Sequence, residues 1–100
     1  ITINKAAGNV TLNNNLTLGA SRTFTITDTG TGYFDLNGYT LSTPKFTHTA
    51  GDVVDTATEG GGNVTLTSSP FTGVAGDWTS NGTPELIFNS NTNQTWTSGN

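Results

Sequence analysis

Gly8-Asn9-Val10-Thr11-Leu12 returns unchanged as Gly62-Asn63-Val64-Thr65-Leu66, 54 residues further along the chain. In both copies two apolar side chains flank a threonine, the alternation of a strand with one face buried. The surrounding text follows. Gly19 falls on Gly73 at the same offset, and residues 30–37 parallel 82–89 at an offset of 52. Tyr39-Thr40-Leu41-Ser42 then matches the pattern of Thr95-Trp96-Thr97-Ser98. Self-similarity at a fixed period marks stacked repeats. Residues 1–100 read as a single β-rich repeat segment with internal units of about 1–54 and 55–100. An offset of 54 corresponds to two coils of about 27 residues or three of about 18. On this reading Val10, Leu12, Val64 and Leu66 face inward at equivalent coil positions.

Outward from these copies, alternation persists and helical spacing is absent. Leu16 and Leu18 follow a turn at Asn13-Asn14-Asn15. Phe24 and Ile26 alternate with Thr23, Thr25 and Thr27, and Asp28-Thr29-Gly30-Thr31-Gly32 is turn chemistry. Phe34 and Leu36, Tyr39 and Leu41, and Phe46 and His48 continue the series, with Asn37-Gly38 and Pro44 as punctuation. Short strands between frequent turns predict an all-β fold. The repeat favours a parallel β-solenoid. Asn-Gly, the preferred hairpin dipeptide, leaves an antiparallel β-sandwich as the alternative.

Composition narrows the function. Val, Ile, Leu and Phe supply 21 of the 100 residues, and the low charge separates the chain from disordered sequences. A domain this small buries little surface by itself, and without cysteine it has neither a disulfide staple nor a thiolate metal site. Neighbouring repeats would supply the missing burial. The net charge is −4, with Lys5, Arg22 and Lys45 as the only cations, which argues against nucleic-acid partners. No apolar run is long enough to span a membrane. The abundance of Thr, Asn and Gly suits an extracellular β protein. The five Asn-x-Thr sequons, at Asn9, Asn15, Asn63, Asn81 and Asn93, are what such a composition generates by chance.

Residues 1–18, Ile1-Thr2-Ile3-Asn4-Lys5-Ala6-Ala7-Gly8-Asn9-Val10-Thr11-Leu12-Asn13-Asn14-Asn15-Leu16-Thr17-Leu18, together with Phe34-Asp35-Leu36-Asn37-Gly38-Tyr39-Thr40-Leu41, resemble the β-strand repeats of large bacterial surface proteins. These include the stalks of filamentous-haemagglutinin-like adhesins and autotransporter passengers. Gly76-Asp77-Trp78-Thr79 and Gln94-Thr95-Trp96-Thr97 fit the same kind of repeat. The resemblance implies a right-handed parallel β-helix acting as a secreted or cell-surface, non-catalytic scaffold: a stalk, adhesin shaft or filament subunit. Pro44, Pro70, Pro84 and Gly60-Gly61-Gly62 depart from a regular coil.

Enzymatic chemistry finds little support. His48 is the single histidine and shares a face with Phe46 in Lys45-Phe46-Thr47-His48-Thr49, a structural setting, and no Gly-x-Ser-x-Gly elbow is present. The carboxylates Asp28, Asp35, Asp52, Asp55, Glu59, Asp77 and Glu85 do not recur as a pair in the two units and read as solvated surface charge. Asp52 with Asp55, and Asp28 in its Gly-rich turn, offer oxygen ligands for a weak calcium site, but neither matches an EF-hand loop or the Gly-Gly-x-Gly-x-Asp nonapeptide of calcium-binding β-rolls, so no metal and no cofactor is expected. Tyr33, Tyr39, Trp78 and Trp96 would serve a sugar-stacking strip. The alternative function is therefore a carbohydrate-binding module or fibre-tip lectin with surface glycans as partners. The expected partners of the scaffold are copies of itself or adjoining repeats, head to tail. A weaker echo supports this: Ala7-Gly8-Asn9-Val10 returns as Ala50-Gly51-Asp52-Val53, as if each coil opened alike.

Overall fold

A computed structural model describes residues 1–57, 61–68, 71–73, 85–89 and 96–98, with the last of these strands and residues 71–73 placed by their backbone. Phe24, Ile26, Leu41, Phe46, Val64 and Leu66 are each flanked by polar residues and point into one core, while the flanking threonines point out. That period of two fixes the strands. The first coil holds β1 (Thr2–Asn4), β2 (Val10–Thr11) and β3 (Leu16–Thr17). The second holds β4 (Thr23–Asp28), β5 (Tyr33–Asp35) and β6 (Thr40–Thr43). The third holds β7 (Lys45–His48), β8 (Asp52–Val54) and β9 (Asn63–Leu66). β10 (Phe71–Gly73), β11 (Glu85–Phe88) and β12 (Trp96–Ser98) add further strands.

Every strand pair among the described residues is parallel. The first sheet runs β1-β4-β7-β10-β12, the second β2-β5-β8 and the third β11-β9-β6-β3. The fold is a β-solenoid of about three turns, and the antiparallel sandwich is excluded. Asn37-Gly38 shows why the hairpin signal misled. Both residues are left-handed, φ 48° and 77°, the backbone of a hairpin turn, and Tyr39 N–H donates to Leu36 O at 2.9 Å. Here that turn makes a corner between the second and third sheets. Pro44 makes another, as the single residue between β6 and β7, where its missing N–H is no loss.

The 54-residue repeat does not mark equivalent positions. Val10 pairs with Phe34 in the second sheet, whereas Val64 pairs with Leu41 in the third. Stacked residues are separated by 19 positions (Phe34 to Val53) up to 25 (Leu16 to Leu41). The coil is thus neither of the two lengths inferred from the offset. The weaker echo does track the coil: Val10, Phe34 and Val53 are in register. Two residues before each stands Gly8, Gly32 or Gly51. A Cβ on Gly32 would lie 2.0 Å from Gly8 O, so the corner of one coil is seated on that of the coil below.

The core is a short aromatic stack with aliphatic walls. Phe24 and Phe46, in register on β4 and β7, lie 5.8 Å apart and nearly parallel, at 7°. Phe34 tilts against Phe24 at 5.1 Å. Val64 and Leu66 are fully buried, as expected, but Val10 and Leu12 are only half-buried against the core.

Candidate functional site

Asp35 ends β5, and Asp55 follows β8 one coil on. Neither is the solvated surface charge that the sequence suggested: Asp35 is 4% exposed and Asp55 fully buried. Asp35 Oδ1 accepts Asn37 N at 2.9 Å in its own coil and Thr56 N at 3.0 Å in the next, and its Oδ2 accepts Thr56 Oγ1 at 2.6 Å. Asp55 Oδ1 accepts Gly38 N at 2.7 Å in the coil before and Ala57 N at 3.3 Å; its Oδ2 accepts Gly62 N at 2.8 Å. The two carboxylates brace the corner between the second and third sheets. Their partners are donors, which stabilise a buried carboxylate and leave a cation badly placed. The Asp55 oxygens are thereby taken by N–H groups rather than held open for calcium. Asp28 Oδ1 likewise accepts Gly30 N, at 2.7 Å, in the turn. Among the described residues no three His, Asp or Glu side chains gather as a metal-ligand group.

Asparagine does similar work between the first and second coils. Asn9 Oδ1 accepts Tyr33 N at 3.3 Å, Asn15 Oδ1 accepts Thr40 N at 2.9 Å, and Asn37 Nδ2 donates to Leu12 O at 3.1 Å. Two of the sequon asparagines thus serve the corner geometry. His48 is buried, 1% exposed, with its ring edge-on to Phe46. Its Nε2 donates to Gly51 O at 2.7 Å, since a carbonyl can only accept.

Of the residues of the sugar-stacking expectation, the described Tyr33, Tyr39 and Trp96 do not share a ladder. Tyr33 opens β5 on the second sheet, Tyr39 lies at the corner before β6, and both are half-buried. Trp96 is in backbone register with Phe71 on the first sheet, and Phe71 with Phe46. Trp78 lies outside the described residues.

Two surfaces stand out instead. One is the outer face of the first coil. Its strands are edge strands in all three sheets, and no described element crosses them. Its inward residues Val10, Leu12, Leu16 and Leu18 are half-buried, whereas their counterparts Phe34, Leu36 and Leu41 one coil on are fully buried. The other is the outward side of the first sheet. Thr2, Thr25 and Thr47 are in register there on β1, β4 and β7, and the backbone register continues to Thr72 on β10 and Thr97 on β12. The sequence carries its signal in the segments 23–27, 45–49, 71–73 and 95–97, but at spacings unlike the 54-residue repeat.

No helix among the described residues is long and apolar enough to cross a membrane. No protein-family model matches the chain, and neither a curated protein nor a solved structure is similar to it at a significant level.

Proposed function

We propose that the chain is a non-enzymatic, extracellular scaffold segment, part of a stalk, adhesin shaft or filament, that stacks end to end with another copy or with adjoining repeats. The observation that carries this reading is the apolar, half-buried edge of the first coil. Unpaired strand edges beside apolar side chains are a template for further strands. A contact between unlike ends repeats without closing into a ring. Stability in such arrays rises with each neighbour added. The absence of cysteine and the wealth of Thr and Asn fit a hydrated rod outside the cell. Sedimentation velocity over a concentration series tests the proposal. The chain is expected to self-associate, and Leu16→Lys on the open edge to reduce association while the β-sheet circular dichroism persists. A chain that stays monomeric at high concentration would remove the basis for stacking.

A further inference from the structure

The row Thr2, Thr25, Thr47, Thr72 and Thr97 runs through the first sheet with unbroken one-to-one register. A second row begins two residues on, at Thr27, with Thr49 beside it as the register of β4 and β7 continues; Thr49 N–H donates to Ile26 O at 2.8 Å. Phe24, Ile26, Phe46 and His48 are buried beneath, so Thr25, Thr27 and Thr47 stand on the outer side. Neighbouring strands are about 4.8 Å apart, and alternate residues along a strand about 6.6 Å apart. Threonine is stiff at χ1, so Thr25 and Thr47, on the outer side of neighbouring strands, have few orientations of methyl and hydroxyl open to them. Among the described residues, the Thr25, Thr27 and Thr47 hydroxyls have no protein hydrogen-bond partner. The charged groups of these strands, Lys45 and Asp28, stand at their ends, outside the two rows.

We infer that this face binds ice. A rigid, uncharged, two-dimensional array of hydroxyls and methyls suits a neutral crystalline surface. Its inter-strand repeat lies close to the shorter oxygen repeat on a prism face of hexagonal ice, and its repeat along the strand falls somewhat short of the longer one. Each contact to water is weak, but a preorganised array loses little entropy when all its contacts form together. A crystalline polysaccharide is the other ordered, neutral surface to weigh. Sugar rings are held by exposed aromatic rings, and neither threonine row contains one. The inference does not depend on end-to-end stacking, although stacking would lengthen the rows.

The test is ice-crystal morphology, thermal hysteresis and recrystallisation in solutions of the whole chain. The chain is expected to shape growing crystals, open a freezing gap and keep small crystals from coarsening. Thr25→Tyr combined with Thr47→Tyr should abolish these effects. Thr17→Tyr, exposed on the third sheet, should leave them intact, and Thr47→Ser, which removes the methyl and keeps the hydroxyl, should weaken them where the tyrosines disturb folding. Unshaped ice with a chain whose circular dichroism is that of a β-sheet would overturn the inference. Equal loss in Thr17→Tyr would overturn the assignment to this face. Sedimentation with cellulose or chitin, without any effect on ice, would assign the face to polysaccharide instead.

Discussion

Asp35 and Asp55 hold each other's coils: Asp35 Oδ2 accepts the Thr56 hydroxyl one coil forward at 2.6 Å, and Asp55 Oδ1 accepts Gly38 N–H one coil back at 2.7 Å. The exchange is reciprocal, so neither corner can move without breaking bonds in the other. In a chain with no disulfide, this pair and the asparagines of the first corners tie the coils together beyond the sheet ladders.

Asp55→Ala is expected to be severely destabilising. It leaves the N–H groups of Gly38, Ala57 and Gly62 without their acceptor. Gly62 N is buried and the other two donors are part-buried; a buried donor left unsatisfied costs about 1–3 kcal/mol, so a loss of about 3 kcal/mol should appear in chemical denaturation. Asp28→Ala removes a single bond in an exposed turn and should cost less than ~1.5 kcal/mol. Similar losses for the two variants would mean that the buried brace contributes nothing special.

Val64→Asp and Val10→Asp test the coil assignment. Val64 is fully buried between Leu41 and Leu86 in register, while Val10 is half-buried on the edge of the first coil. Burying an unpaired carboxylate at Val64 should cost several kcal/mol, about 4 or more. The same change at Val10 leaves the charge in reach of water and should cost clearly less. Equal costs would restore the equivalence that the five-residue identity suggested.

Gly51 and Gly61 separate backbone strain from steric contact. Both are left-handed, at φ 89° and 100°, but a Cβ on Gly51 would lie 2.1 Å from Thr29 Oγ1, whereas one on Gly61 meets nothing within 4 Å. Gly61→Ala should cost only the conformational penalty, about 1–2 kcal/mol. Gly51→Ala should cost more and lower the melting temperature further, because the Thr29 hydroxyl that receives Asp52 N–H at 3.0 Å must shift. Indistinguishable melting curves would show that the corner yields without resistance.

Phe46→Ala should remove the centre of the stack. Phe46 touches Phe24 on one side and His48 on the other and is fully buried. Truncating a buried Phe to Ala costs about 3–5 kcal/mol, and Phe46→Leu should recover much of that in the same denaturation series. A Phe46→Ala protein as stable as wild type would place the core elsewhere.

Alternation in Thr23-Phe24-Thr25-Ile26-Thr27 and in Lys45-Phe46-Thr47-His48 determined, from the sequence alone, that these segments are strands, which side of each is buried and that the fold is all-β. Those properties are local, since successive side chains of a strand point to opposite faces. Which strand lies on which was decided by the tertiary structure. Every strand of a solenoid wants the same pattern, so Gly-Asn-Val-Thr-Leu fits the second sheet at Val10 and the third at Val64. The corners between strands, varying from Pro44 alone to the long connection after Val54, set the register that the identity of a short string cannot. The burial of Asp35 and Asp55 was hidden for the same reason: their donors, Thr56 and Gly38, come from another coil. So was the threonine row, because a ladder exists only once the coils have been placed one on another.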